Sequence, residues 1–387
     1  MHKTLFHFLL NTSTSGYVLW ICVLFCQFYT KYLHLEKYCD IILTNVTEIT
    51  SERRDNLATM DDIARQLGVA KSTVSKALSG AEDVSDAMRK SVLETAVELG
   101  YSKVSRSTQK PRIALFITNM EYQKPIDFGY DIVMGFRKLA EPAGYHVEII
   151  PLDMELQKKL RYDEYMVLGN YRGGLFLGLS LMDPWLKDFE TCRTPTVLYD
   201  NHVHGNANVT YVGVDNAEGM EQAVGYLTSL GHQKIGYLSG GLDAYVYRKR
   251  CNAFFHALEN HGLPHGEELM GNHYHVTQCM EEHLSRLLAL GCTAFVCSHD
   301  LMARTAIEYC GRQGLKVPEN ISIMGFDDGP LCRLTNPPLT SIRQNRTELG
   351  KSAFYALTSQ INKVPISTLL LHAELIRRES CAQVRSN

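Results

Sequence analysis

The sequence contains no CxxC pair, and none of its eleven cysteines shares a metal-ligand spacing with a histidine. A structural zinc site and thioredoxin-like redox chemistry are thereby excluded. An odd number of cysteines cannot close a complete disulfide framework, so the thiols read as small hydrophobes in a reducing, cytoplasmic setting. Surplus charge of one sign is also missing: 39 Lys+Arg face 42 Asp+Glu, a formal net charge of -3. Any surface for a polyanion must therefore be local. No GxSxG elbow, P-loop or strand-borne GxGxxG occurs, so no catalytic residue, cofactor or metal ligand is expected. What remains is 387 residues, 45% hydrophobic, too long for a single ordinary core. Two or three globular domains follow.

Residues 1–57 differ from the rest. Tyr17 to Tyr29 form an apolar, aromatic run of 13 residues, preceded by the polar stretch Asn11 to Gly16. A spanning helix needs about 20 apolar residues, and no small-x-small cleavage site follows the run. Glu52-Arg53-Arg54-Asp55 can be encoded by a purine-rich, ribosome-binding-like stretch, with Leu57 just beyond it. The preferred reading is an over-extended reading frame, with natural translation starting at Leu57; a membrane anchor is the alternative.

From Thr59 the pattern is helical. Thr59 suits an N-cap, Asp61 and Asp62 suit the first turn, and Ile63, Ala64 and Leu67 form an apolar stripe that Gly68 ends. A second helix is expected over Lys71 to Leu78, with Val74, Ala77 and Leu78 inward and Lys71, Ser72, Thr73, Ser75 and Lys76 outward. A third follows Ser85 and runs to Leu99. Two short helices joined by a glycine turn, the second exposing hydroxyls and lysines, have the geometry that places a recognition helix in the major groove. Lysine donates to guanine edges and hydroxyls bond phosphate, so Lys71, Ser72 and Lys76 are the base-reading candidates and Thr73 and Ser75 the phosphate contacts. The stretch ATMDDIARQLGVAKSTVSKALSG...VSDAMRKSVLETAVELGY resembles the headpiece of LacI/GalR-type bacterial transcription regulators. Two positions depart from the usual pattern: Ala70 stands where a capping Ser is common, and Lys76 replaces a frequent Arg.

The helix-turn-helix domain is assigned to 58–103 and a linker to 104–111. Lys103 and Arg106 are further DNA-contact candidates, through phosphate. The resemblance would supply a hinge helix with a Pro-Asn start and a wedging Leu. This sequence has neither, so the linker reads as a flexible basic tether that contacts phosphates; a shortened hinge helix that still bends DNA, with Val104 as its aliphatic wedge, is the alternative.

Residues 112–387 alternate apolar strands (IALFIT, HVEIIPL, GGLFLGL, PTVLYD, KIGYLSG, TAFVCSHD, ISIMGFDD) with amphipathic helices. Such a pattern means parallel sheets buried on both faces, in two lobes with a cleft between them at the strand ends. Asp215 and Asp300 have the position of helix caps, whereas Arg250, one turn into a helix, faces the cleft. The segments SLGHQKIGYLSG, TAFVCSHDLMARTAI, GLKVPENISIMGFDD, NPPLTSIRQN and LIRRES are similar to the effector-binding core of the same family, which is related to periplasmic sugar-binding proteins. The resemblance implies an N-lobe of about 112–212 with 344–370, and a C-lobe of about 213–343 with 371–387. Effector-facing positions would fall on Phe128, Asp200, Arg250, Tyr274, His299, Asp327 and Gln344, with His299 departing from the usual Asn. The expected protein is a cytoplasmic, homodimeric repressor on a palindromic double-stranded operator, controlled allosterically by a sugar-like or purine-like small molecule. An anchored or exported solute-binding protein is the alternative, which leaves 58–101 unexplained.

Overall fold

The computed structural model describes residues 58–101 and 110–384. The extension 1–57, Val104 and most of the linker therefore lie outside the described residues, and so do Lys103 and Arg106. Two compact units divide between Lys103 and Val104.

The first unit is three helices: α1 (Met60–Leu67), α2 (Lys71–Ser79) and α3 (Asp86–Glu98). The start of α1 is fixed reciprocally, because the Thr59 hydroxyl accepts from the Asp62 N–H while the Asp62 carboxylate accepts from the Thr59 N–H at 2.9 Å. Gly68 closes α1 at φ 66°, a left-handed conformation that costs glycine nothing. Ala70 begins α2 with no side-chain cap bond, whereas Ser85 caps α3. Ile63, Ala64, Val74, Ala77, Val92, Leu93 and Ala96 form the core, while Leu67 and Leu78 are only half-buried.

The second unit holds two six-stranded sheets. The first contains β1 (Arg112–Ile117), β2 (His146–Pro151), β3 (Tyr171–Leu177), β4 (Thr196–Tyr199), β5 (Val209–Val214) and β11 (Thr368–Leu371), in the order β11-β5-β4-β3-β1-β2 and parallel throughout. The second contains β6 (Ile235–Ser239), β7 (Met270–Asn272), β8 (Ala294–Cys297), β9 (Ser322–Asp327), β10 (Thr340–Arg343) and β12 (Glu374–Ile376), in the order β12-β10-β9-β8-β6-β7. This sheet is parallel but for one edge strand: β12 runs antiparallel to β10. It enters two residues after β11 ends, with no crossover helix to turn the chain around.

Burial on both faces explains the unbroken apolar strands. In β1, Ile113, Leu115 and Ile117 pack under α4 (Tyr130–Ala140) and α8 (Arg346–Ile361), while Ala114 and Phe116 pack on the other face with Phe176, Trp185 and Phe189. The second sheet is covered by α5 (Asn216–Ser229), α6 (Tyr245–Asn260) and α7 (Asp300–Arg312). The chain passes between sheets three times, after Val214, after Arg343 and after Leu371. Gly213, Val214 and Leu371 lie in the first sheet, where β5 and β11 pair along their full length.

Helices α4 and α8 touch through two glycines. A Cβ on Gly350 would lie 2.0 Å from the Ile132 carbonyl oxygen, and one on Gly135 2.2 Å from that of Thr347. Both obstacles are backbone, which side-chain rotation cannot relieve. Gly350→Ala is expected to destabilise the unit by about 1–3 kcal/mol or more. Urea denaturation would reveal it, and an unchanged midpoint would mean that the helices part freely.

Candidate functional site

In the first unit, α2 presents the predicted surface. Lys71, Ser72, Ser75 and Lys76 are exposed, Thr73 is half-buried, and Val74 and Ala77 turn inward. Each lysine is held by an acid: Lys71 Nζ lies 2.6 Å from Asp61, and Lys76 pairs with Asp83. All four side chains are more than half exposed, so each pair contributes about 0–1 kcal/mol and yields readily to a base edge or phosphate.

In the second unit, a cleft of about 1200 Å³ opens between the lobes at the carboxyl ends of the strands. Phe128, Asp200, Arg250, Tyr274, His299 and Asp327 line it. Backbone strain concentrates there: Asn119, Asp200 and Asp327 all line the cleft at positive φ (49°, 51° and 114°). Asn and Asp tolerate the left-handed region, but a φ of 114° persists only where the surroundings enforce it.

Arg250 supplies that enforcement. It lies deeper in α6 than the sequence suggested, because the helix starts at Tyr245. Its Nε donates to Asn216 at 2.9 Å, and its Nη1 to the Ser298 carbonyl at 2.6 Å and to Asp327 at 3.2 Å. Its guanidinium carbon stands 3.9 Å above the Phe326 ring, and only 2% of the residue is exposed. Burial raises the Asp327 carboxyl above the usual range, opposed by the Arg250 charge. Gln344 stands behind the wall in a crossover: its Nε2 donates to Asp327 at 2.6 Å and its Oε1 accepts from the Tyr199 hydroxyl at 3.2 Å. These bonds join the first lobe to the second.

Asp215 caps α5, accepting from the Ala217 and Glu218 N–H groups. Asp300 does not cap α7; His299 does, its Nδ1 accepting from the Met302 N–H at 3.1 Å. Asp300 instead accepts from the Ser341 hydroxyl and the Gly329 N–H, each at 2.6 Å, and burial with the neighbouring Asp327 charge raises its carboxyl to about 7. Because Nδ1 is occupied as an acceptor, the proton of the neutral ring sits on Nε2. Burial, and secondarily the Arg250 charge, lowers His299 to about 4, so the ring stays neutral. Phe128 is half-buried and tilted against Tyr199, whereas Tyr274 is 73% exposed.

Sequence reasoning overlooked Arg346. It borders the cleft in the first turn of α8, where the helix dipole disfavours a cation; that misfit was the available signal. Its Nη2 reaches Asp131 at 3.1 Å, its guanidinium carbon lies 5.6 Å from the Phe128 ring centre, and its buried Nη1 has no hydrogen-bond partner. Asp200 Oδ1 is buried and meets no donor in ideal geometry, but the Tyr199 and Tyr211 hydroxyls lie against its carboxyl and favour the charged form.

A helix-turn-helix unit and a two-lobed α/β unit with a polar cleft define a DNA-binding transcriptional regulator with a periplasmic-binding-protein-like body. Residues 59–108 match the family described as bacterial regulatory proteins, lacI family, and residues 224–381 match a periplasmic binding protein-like domain. The chain is 30% identical over 338 residues to the HTH-type transcriptional repressor CytR of Escherichia coli K12, covering 85% of this chain and 98% of that protein. It is 26% identical to the repressor PurR of Pasteurella multocida, over 84% of this chain and 98% of PurR. Among solved structures, a complex of the transcriptional regulator CelR with cellobiose superposes with a TM-score of 0.63 at 26% identity, covering 84% of this chain and 99% of CelR. The chain belongs to the LacI family of bacterial transcriptional regulators and is a DNA-binding repressor of that family. Its relatives are regulators, not enzymes. No helix among the described residues is long and apolar enough to cross a membrane.

Proposed function

We propose that the protein is a cytoplasmic repressor that binds a palindromic operator as a homodimer and that a small molecule in the interlobe cleft modulates this binding. Lys71, Ser72 and Lys76 read bases, Thr73 and Ser75 hold phosphates, and Lys103 and Arg106 add phosphate contacts from the linker. The observation that carries the first half is the exposed lysine and hydroxyl face of α2 above a fully apolar inner face. The second half draws support from the strained, polar cleft, whose walls belong to two lobes joined by three chain crossings. An effector that favours one lobe arrangement changes the separation of the two headpieces in the dimer, and both half-sites are mis-spaced together. Phe128, Asp200, Arg250, Tyr274, His299, Asp327 and Gln344 are the effector-site residues on this reading, with Arg250 and Gln344 holding Asp327 in place.

Lys76→Ala is expected to relax sequence preference at one operator position, at a cost of about 1–3 kcal/mol for the cognate base pair. Binding measured on operators varied one position at a time checks this. A uniform loss on every sequence would make Lys76 a phosphate contact.

A further inference from the structure

The two lysines assigned to base reading each carry a carboxylate, and the two carboxylates come from different elements. Lys71, the first residue of α2, has its Nζ 2.6 Å from Asp61 in the first turn of α1. Lys76, further along α2, pairs with Asp83 in the loop that joins α2 to α3. Neither acid hangs on slack backbone. Asp61 lies in the first turn that Thr59 and Asp62 fix reciprocally, and the loop bearing Asp83 is pinned where Arg89 of α3 donates to the Ala81 carbonyl at 2.8 Å. Both acids are more than half exposed, beside the lysines at the surface of the headpiece.

This arrangement treats a base edge and a phosphate differently. An ammonium has three N–H donors, so it can keep one on its carboxylate and turn the others to guanine O6 and N7. The base edge carries no net charge, and the acid tolerates it. An ammonium–phosphate contact is about 2.8 Å long, so a phosphate on Lys71 Nζ comes within about 6 Å of the Asp61 carboxylate, inside the screening length of about 8 Å at physiological salt. Parting the lysine from its acid is cheap, yet it leaves the carboxylate facing the DNA backbone alone. On either route the acid penalises the lysine's phosphate contacts and spares its base contacts.

On the reading that α2 enters the major groove, we infer that Asp61 and Asp83 are specificity-determining residues: they suppress binding to DNA of arbitrary sequence while leaving operator recognition in place. Binding to arbitrary sequence is almost wholly a phosphate contribution, so a penalty confined to phosphate widens the ratio of operator to random affinity. Asp61 also suits the helix dipole at the start of α1. That role alone would alter the stability of the headpiece and leave its DNA selectivity as it is.

The test uses the full-length protein, the palindrome it selects from a random-sequence pool, and a scrambled duplex of the same length and composition. Asp61→Asn combined with Asp83→Asn, both nearly isosteric, should tighten the scrambled duplex more than the palindrome and lower the ratio of the two affinities by about threefold or more. Each lysine released onto phosphate steepens the plot of log affinity against log salt by about 0.9, so the slope on scrambled DNA should steepen by about 2 while that on the palindrome stays unchanged. Glu82→Gln removes an exposed charge beside Asp83 but outside either pair, and should leave the ratio and both slopes close to those of the natural protein. An equal fall in the ratio with Glu82→Gln would reduce the effect to net charge and overturn the assignment. Equal tightening of both duplexes overturns it as well, as does no change on either. In that last case Lys76→Ala separates the two failures: an effect on binding keeps α2 on the DNA and removes the inference alone, whereas none removes both.

Discussion

Replacing Arg250 with alanine is expected to lower the unfolding free energy of the second unit by about 3–5 kcal/mol, the cost of removing one partner from a buried ion pair. The side chain of Arg250 is 3% exposed and that of Asp327 15%. Without the guanidinium, Asp327 keeps the Gln344 bond but loses its counter-charge, the Asn216 side-chain Oδ1 and the Ser298 backbone carbonyl lose a donor each, and the Phe326 face loses its cation. Denaturant unfolding measures the loss, and a change below about 1 kcal/mol would mean that water or a proton compensates Asp327. Asp327→Asn in the Arg250→Ala background should restore part of the stability, because no buried charge is then left alone. The variant is also expected to lose its effector response while operator affinity, measured where the protein stays folded, remains within about tenfold, a change of about 1.4 kcal/mol. Since Arg250 spends its bonds on the protein, that loss of response would come through Asp327 and β9.

What the sequence revealed and what it hid divide along physical lines. Periodicity and caps located α1, α2 and α3 because most of their ends are fixed by near neighbours: Thr59 with Asp62, Gly68 and Gly80 at positive φ, and Ser85, with the start of α2 at Ala70 left without a side-chain cap. The alternation of apolar strands with amphipathic helices identified two parallel-sheet lobes because a strand buried on both faces has to be apolar along its length, as β1 is. The direction of β12 was hidden, since a three-residue strand carries no mark of the partner it runs against. In the cleft, the family resemblance pointed to six of the residues that line it but not to their bonding. His299 and Asp300 are adjacent, and either can cap a helix; which one does depends on Ser341 and Gly329, brought from β10 and the loop after β9. Likewise Arg250 read as a free donor until Asn216, Ser298 and Asp327, distant in sequence, arrived around it. Arg346 was missed because its importance is a missing bond, which only three-dimensional packing exposes.

The largest effect expected on DNA binding comes from residues next to the headpiece. Between residues 58 and 101 the acids Asp61, Asp62, Glu82, Asp83, Asp86, Glu94 and Glu98 outnumber the bases Arg65, Lys71, Lys76, Arg89 and Lys90. Lys71 and Lys76 already face Asp61 and Asp83. A headpiece of that charge neutralises few phosphates by itself, and the sequence places Lys103, Arg106 and Lys110 directly after it. Each phosphate neutralised contributes about -0.9 to the slope of log affinity against log salt. Replacing Lys103 and Arg106 together with alanine should therefore flatten the slope by about 2, so the advantage of the natural protein over the variant shrinks about tenfold between 50 and 200 mM salt. Operator titrations across that range decide the point, and equal slopes for the two proteins would show that neither residue meets a phosphate. Asp83→Ala separates this long-range term from the local pair. Freeing Lys76 should tighten operator binding at every salt concentration, by no more than the roughly 1 kcal/mol an exposed ion pair is worth, and leave the count of linker contacts as it was.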